Sequence, residues 1–509
     1  MPETVRFNRF NKGTEDFVTT GLQLEYIAGE KPESTAVVEI DKKGNETSIS
    51  WKGLRDLSNR MAWMLLDRGI DAKSTVIVTW PNGILHVAAM LAIWKCGACY
   101  VPIPYKTTIA ELDGVVDTLH PQLIFTDLDV DEGAESAISS EKAEALSAGF
   151  SSDFPPDVIS NPNIITLSGG STGKPKLIRQ KLPVGNSDDT LRGWRDMVGM
   201  EFEMVQMLLG PMFHGAPHSC IMNGLFMGNE VIIPHNLCPE NLIELIKKYK
   251  VEYMQMVPTL MHRIVKETGV RAADFATIKA FCHTGGVCSQ WLKREWFKLM
   301  APERVYELYS QTEVIGLCAI RGDQWLKHPG SVGRPVGGGK VSIRDEYGHE
   351  VPTGTVGEIF MTPPADFFYT EYINAPPIEL MPDGFRSVGD MGYVDEDGYL
   401  YFSDRRSDII VTGGENVFAA EVENAIMQYP DVLDAVVVGI PDPEWGRRVH
   451  AVIEARGQLD VQALKAFLKT RLTPYKIPKT YEQVQTIKHE GNGKIQRSRI
   501  LKECIARGV

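Results

Sequence analysis

Residues Ile164 to Lys176 read Ile-Ile-Thr-Leu-Ser-Gly-Gly-Ser-Thr-Gly-Lys-Pro-Lys. A short apolar, β-branched run empties into glycines, hydroxyls and lysines, the composition of a loop that grips phosphate. Gly169, Gly170 and Gly173 permit positive φ and bring successive N–H groups close to an anion. Ser168, Ser171 and Thr172 add hydroxyl donors, and Lys174 and Lys176 add charge. This is not a Walker A loop, because Ser168 and Pro175 stand where that motif has Gly and then Ser or Thr. Pro175 also withholds a backbone donor and turns Lys174 away from the α region, so no helix is predicted to begin here. The competing reading, a plain solvent loop, is disfavoured by this density of donors directly behind a strand.

The 509 residues exceed one ordinary domain, and 43% apolar with 23% charged residues is a soluble globular composition, so two or more cores are expected. No apolar run approaches the roughly 18 residues of a spanning helix. The opening Met-Pro-Glu-Thr-Val-Arg-Phe-Asn-Arg-Phe lacks the apolar region of a secretory signal, which points to the cytoplasm and to no membrane insertion. A net charge of −13 repels nucleic acid and anionic lipid. Any bound polyanion must then be held by local donors, which favours a small nucleotide over DNA or RNA.

Eight cysteines spread through a large chain fit reduced thiols rather than a disulfide scaffold. Cys96-Gly-Ala-Cys99 has redox spacing, but it closes an apolar helical pattern with Gly97 placed as a stop, so a redox role is not expected. His214 and His218 are spaced like zinc ligands on a helix, yet Gly215 and Pro217 argue against a helix there. No metal cluster is visible in the spacing. Nothing sets an oligomeric state, and a homo-oligomer stays open.

Strands and helices alternate from Ser48 to Pro104: a strand Ile49 to Trp51, a helix from Leu54 closed by Gly69, a strand from Val76, a helix near Leu85 to Trp94, and a strand from Tyr100. The alternation predicts crossover units and a largely parallel, buried sheet. It resumes after the phosphate loop, and the segments from Phe281 to Gly286 and from Val305 to Glu313 each read as a strand ending in a polar turn, where open α/β sheets hold ligands. Beyond about Asp323, short strands with Gly-rich turns predict a β-rich subdomain. A last unit from about Asp408, with a helix at Ala420 to Tyr429, a strand from Val432 and a helix at Val461 to Leu472, is large enough for a small separate domain.

Together, Ser168 to Lys176, Tyr309-Ser-Gln-Thr-Glu313, Gly389-Asp390, Asp404-Arg405 and Gly493-Lys494 occur in the order and rough spacing of the adenylate-forming superfamily of acyl-CoA synthetases, luciferases and peptide-synthetase adenylation domains. The similarity covers nearly the whole chain. Phe213-His-Gly-Ala-Pro-His, Gln255-Met-Val-Pro-Thr-Leu, Cys282-His-Thr-Gly-Gly-Val-Cys, Leu472 to Lys479 and Cys504-Ile-Ala-Arg-Gly resemble more closely the bile-acid coenzyme A ligases. The resemblance implies an α/β fold. A large N-terminal domain, residues 1–404, would combine helix-flanked parallel sheets with the β-rich part; residues 405–407 would be a hinge and 408–509 a small mobile α+β domain.

It also implies ATP-dependent, AMP-forming ligation of a carboxylic acid, a C24 bile acid such as cholate, to coenzyme A, with ATP and Mg²⁺. By resemblance, residues Ser168, Gly169, Gly170, Ser171, Thr172, Gly173 and Lys176 hold phosphate, Thr312 also binds phosphate, and Glu313 binds Mg²⁺. Gly285, Gly286 and Tyr309 lie along adenine, Asp390 accepts from ribose, and Arg405 contacts ribose or phosphate. The resemblance likewise implies that Lys494 would be the catalytic lysine bridging carboxylate and α-phosphate, that Phe213 and His214 would border the acid pocket, and that Gly413 and Gly414 would line the coenzyme A tunnel. Ser310 and Ser407 depart from the family pattern, which usually has Gly and then Asp or Lys at these places. Two other readings remain: the same chemistry on a fatty, aryl or other sterol acid, and a nucleotide-binding protein whose catalytic step is dead.

Overall fold

Val76, Ile77 and Val78 are fully buried, as are Tyr100 and Val101 on the neighbouring strand, and such two-sided burial is what helices on both faces of a parallel sheet produce. The computed structural model describes residues 17–130, 136–168, 176–180, 183–364, 370–489 and 495–508. Their architecture is the mixed α/β class expected, with a large N-terminal part and a smaller C-terminal one. In the seven-stranded sheet the strands run Thr370–Tyr372, Lys176–Gln180, Ile164–Ser168, Cys99–Pro102, Thr75–Val78, Leu123–Phe125, Ala137–Ile138. Its centre is parallel, and the strands at the phosphate-loop end are antiparallel.

The nine-stranded sheet has the order Arg334–Pro335, Leu317–Arg321, Val305–Ser310, Ala280–Thr284, Tyr253–Met256, Val205–Leu208, Glu230–Pro234, Thr35–Ile40, Glu46–Ser50. One apolar cluster joins both sheets: Val37, Val231 and Ile233 of this one, and Val76, Tyr100 and Phe125 of the other, meet Leu54, Leu65 and Ile93 from the helices between. The helix Ile84–Lys95 is buried nearly all round, as a helix apolar on every face must be. Its last residue, Lys95, donates to Ser58 Oγ at 2.9 Å and Asn59 Oδ1 at 2.5 Å, and burial pulls its pKa down to about 7.

The expected β-rich part is a four-stranded antiparallel sheet of Lys340–Arg344, Gly357–Thr362, Arg386–Val394 and Leu400–Arg405. Beyond it, Val432–Asp442, Gly446–Ala455 and Thr480–Val484 form a three-stranded sheet packed with the helices Ala419–Met427, Val461–Lys469 and Arg497–Ala506. Among the described residues no helix is long and apolar enough to cross a membrane.

One boundary differs from the sequence reading. The strand expected at Ile49 to Trp51 ends at Ser50, whose hydroxyl accepts from Gly53 N at 3.1 Å and caps the helix Trp51–Asp67. Trp51 therefore buries its ring from a helix rather than a strand.

Two consequences for stability follow from this packing. A Cβ on Gly224 would overlap the amide of Gln206, a buried side chain that accepts from Asn229 at 3.1 Å and donates to the Cys220 carbonyl at 3.3 Å. Gly224→Ala should lower stability by about 1–3 kcal/mol, whereas Gly114→Ala, with nothing within 4 Å, should be neutral or slightly stabilising in the same denaturant titration. His86 and His218 are buried, which holds their pKa values down to about 4 and about 3. Between pH 6.5 and 4 the unfolded chain binds protons that the folded one refuses, so stability falls as pH drops through that window. His218→Phe should flatten that slope by about one proton, read from denaturation midpoints against pH.

Candidate active site

In the nine-stranded sheet the chain steps from Val205–Leu208 outward to Glu230–Pro234, then returns to the other side of its starting strand at Tyr253–Met256. Such a reversal opens a crevice at the carboxyl ends of the strands. The segment leaving Leu208 is pinned there by Asn82, whose Nδ2 donates to the Gly210 carbonyl and whose Oδ1 accepts from Met212 N, both at 2.9 Å. Phe213 and His214 follow, half-buried, with ring centroids 4.4 Å apart. Contrary to the sequence reading, a helix does begin here, Gly215–Phe226 with His214 as its N-cap. Pro217 is tolerated because it falls in the first turn, where its missing N–H would have had no intrahelical partner. His218 turns inward, stacked on Tyr100 with centroids 5.6 Å apart, so it does not share a solvent face with His214.

Two strands further on, Gly285 follows Ala280–Thr284 with φ of 82° and sits against Val257, while Gly286 sits against Pro258. Lacking side chains, both permit close approach to the backbone at this strand end. Next to them, in register through Thr284 and Leu308, the strand Val305–Ser310 carries Tyr309. Its hydroxyl donates to Asp390 Oδ2 at 2.5 Å, and burial together with that carboxylate raises the tyrosine pKa well above its usual value. Asp390 is paired across strands with Arg405, whose Nε lies 4.0 Å from Asp390 Oδ1 while its side chain is 60% exposed. Gly389 before it has φ of 75°, and its N–H donates to Ser387 Oγ at 3.1 Å. Tyr309, Asp390 and Arg405, scattered in sequence, are thus one constellation.

Ser168 and Lys176 are paired across the antiparallel strands on either side of residues 169–175. No helix begins at Lys176; it opens the strand Lys176–Gln180, as Pro175 led us to expect. Gly169, Gly170, Ser171, Thr172, Gly173 and Lys174 lie outside the described residues, as does Lys494. The turn after Tyr309 meets this strand pair directly: Gln180 Nε2 donates to the Thr312 carbonyl at 3.3 Å. Tyr372, on the edge strand Thr370–Tyr372, donates to Glu313 Oε1 at 2.7 Å and lies under Lys176, whose Nζ is 4.7 Å from its ring centroid. Thr312 and Glu313 cap no helix; a strand, Leu317–Arg321, comes next. Val314 is held at φ of 47°, a costly conformation for a β-branched residue and one that fixes how the Thr-Glu turn is presented. The carboxylate of Glu313, oriented by the Tyr372 hydroxyl, is a hard oxygen donor of the kind Mg²⁺ takes, so this residue fits that ion.

Gly413 and Gly414 form the two-residue turn between Ile410–Thr412 and Glu415–Val417, with φ of 59° and 84°. A Cβ on Gly413 would stand 2.8 Å from Trp445 Cε3, so only glycine fits against that indole. Burial raises the thiol pKa values of Cys96 and Cys99 to about 12, which leaves them as inert packing thiols. Tyr372, Gln180, Asn82 and Trp445 were not found by sequence reasoning. Each acts through a partner far along the chain, and no local pattern marks them.

Residues 24–366 match the AMP-binding enzyme family and residues 421–494 the AMP-binding enzyme C-terminal domain. Among curated relatives, a putative acyl-CoA ligase, YdaB, of Bacillus subtilis is 26% identical, covering 92% of this chain and 96% of its own length. A feruloyl-CoA synthase of an Amycolatopsis species is 28% identical over 92% of this chain and 96% of its own. In fold, the o-succinylbenzoate CoA synthetase of Bacillus subtilis, solved with an acyl-adenylate, superposes with a TM-score of 0.80 at 22% identity, covering 95% of this chain and 98% of that one. With the family match extending over well more than half its length, this chain belongs to the AMP-binding enzymes, an adenylate-forming family.

Proposed function

We propose that the protein is an ATP-dependent, AMP-forming acid:coenzyme A ligase whose acid is a C24 bile acid such as cholate. The ligase reading is carried by one observation: the Thr312-Glu313 turn, the Lys176 strand and the Tyr309-Asp390-Arg405 group converge at one set of strand ends, in a chain matching the AMP-binding enzymes. Relatives named as acyl-CoA ligases support it. ATP, Mg²⁺ and coenzyme A fit that family. The bile-acid assignment is finer and rests on the stretches around Phe213, Gln255, Cys282 and Leu472. A fatty or aryl acid is the second reading, favoured by relatives named for such acids.

In the first step a carboxylate oxygen attacks the α-phosphorus of ATP, the bond to the bridging oxygen breaks and pyrophosphate leaves. Two anions must meet, so the site has to supply fixed positive potential. Donors of residues 168–173 and Thr312 hold phosphate, Asp390 accepts from the ribose hydroxyls, and Lys494 bridges carboxylate and α-phosphate. Mg²⁺, on Glu313, neutralises phosphate charge when bound. In the second step the coenzyme A sulfur attacks the acyl carbon, its proton is lost to solvent, and AMP leaves with the electron pair of the acyl–oxygen bond.

A hinge at residues 405–407 belongs to the same proposal. Asp404 Oδ2 accepts from Ala420 N at 3.1 Å across that segment, a contact that rotation about it would change.

Lys494→Ala should lower acid-dependent pyrophosphate release by about 100-fold or more while leaving ATP binding within a few-fold of the parent. A variant that adenylates normally contradicts the assigned role of Lys494. Asp390→Ala should raise the KM for ATP with little change in the KM for acid, measured by the same release. A panel of acids at fixed ATP and coenzyme A should rank cholate and other C24 bile acids first. A higher kcat/KM for a plain fatty or aryl acid replaces the bile acid and leaves the ligase reading standing.

A further inference from the structure

Away from the strand-end crevice, three side chains on three elements of the smaller part have no role in the chemistry above. His450 on the strand Gly446–Ala455, Glu482 on Thr480–Val484 and Cys504 on the helix Arg497–Ala506 bring an imidazole nitrogen, a carboxylate oxygen and a thiol sulfur within 4.8 Å of one another. His450 Nε2 lies 3.8 Å from Glu482 Oε2, and Cys504 Sγ lies 3.9 Å from the same oxygen.

The ring of His450 is held from behind. His450 and Thr480 are register partners, and Nδ1 is 2.8 Å from the Thr480 hydroxyl. The side chain is fully buried, and among the described residues Nε2 makes no hydrogen bond. In the tautomer whose Nδ1–H donates to the Thr480 hydroxyl, the Nε2 lone pair faces a carboxylate oxygen and a sulfur. Nε2 and the carboxylate oxygen are then two acceptors facing each other beside the Cys504 thiol and Arg507, an arrangement that a cation between them relieves. A histidine fixed through one nitrogen while the other points at a carboxylate and a thiol is the arrangement of a metal ligand.

A cation already approaches from outside. Arg507 Nη2 donates to Glu482 Oε2 at 3.0 Å and lies 3.5 Å from Cys504 Sγ. Its side chain is 45% exposed and has a second carboxylate, Glu503, 4.0 Å from Nη1, so it can withdraw along its own helix. Arg448 is the other positive group near the ring.

We propose that His450 Nε2, Glu482 Oε2 and Cys504 Sγ form a three-ligand Zn²⁺ site, with Arg507 displaced toward Glu503 when the ion binds. Mixed nitrogen, oxygen and sulfur donors select zinc over Mg²⁺ or Ca²⁺. The thiol proton is released to solvent as the sulfur–zinc bond forms. The ion ties the helix Arg497–Ala506 to both strands. This site is independent of the ligase reading, since none of its residues belongs to that chemistry.

The test uses the full chain, freed of metal and titrated with Zn²⁺ in competition with a chromophoric chelator, and separately with Co²⁺ followed by absorbance. The expected result is one zinc per chain, thiolate-to-cobalt charge transfer with tetrahedral ligand-field bands, and a higher Tm with Zn²⁺. Cys504→Ser should remove the charge-transfer band and weaken zinc binding by about tenfold or more, and Arg507→Ala should tighten it. His450→Gln should weaken binding as Cys504→Ser does; should it fail to fold, Cys504→Ser decides alone, because it keeps the shape of the side chain. The proposal is overturned if the parent gives no cobalt–thiolate band, or if Cys504→Ser binds zinc as the parent does.

Discussion

Like charge is the constraint on which the rest of this structure depends. A carboxylate and a triphosphate repel; a pair of unit charges 4 Å apart costs about 1 kcal/mol in water and several times that where water is excluded. A chain with a net charge of −13 has no global field to offset this, so the donors must be local and held in place. The fold meets that demand by locking the end of one sheet to the end of another. Gln180 reaches the Thr312 carbonyl and Tyr372 reaches Glu313, joining the strand that opens at Lys176 and its edge neighbour to the turn after Tyr309.

The same logic accounts for the groups around it. Tyr309 gives its hydroxyl to Asp390 and Arg405 stands across the strand pair, so the acidic group is oriented from two sides. Val314 carries backbone strain at the one turn where the Thr-Glu pair must be aimed, and the buried sheets on either side supply the rigidity to hold it. The shared apolar cluster between the two sheets is what lets residues more than a hundred positions apart keep such distances.

Much of this was legible in the letters, for physical reasons. A β-branched strand running into Gly, Ser, Thr and Lys has few uses, and Pro175 argues against a helix, in agreement with the strand that opens at Lys176. Alternating apolar runs gave the parallel sheets, and the polar turns after Thr284 and Tyr309 lie on adjacent strands as their positions suggested. What escaped depends on long-range contact. Tyr372 becomes part of the site only because an edge strand pairs with Lys176–Gln180, a register no local pattern encodes. The helix at Gly215 is hidden in the sequence because Gly215 and Pro217 both argue against one, although in a first turn neither breaks it. His450, Glu482 and Cys504 lie on separate elements, the last two 22 positions apart, so ligand spacing along the chain had nothing to find.

The central claim is that these strand ends direct attack on the α-phosphorus of ATP. Phosphorus-31 NMR of a reaction holding protein, cholate, ATP, Mg²⁺ and coenzyme A tests it most directly. AMP and pyrophosphate accumulating in step with thiol loss is the result this account predicts; ADP and inorganic phosphate would contradict it.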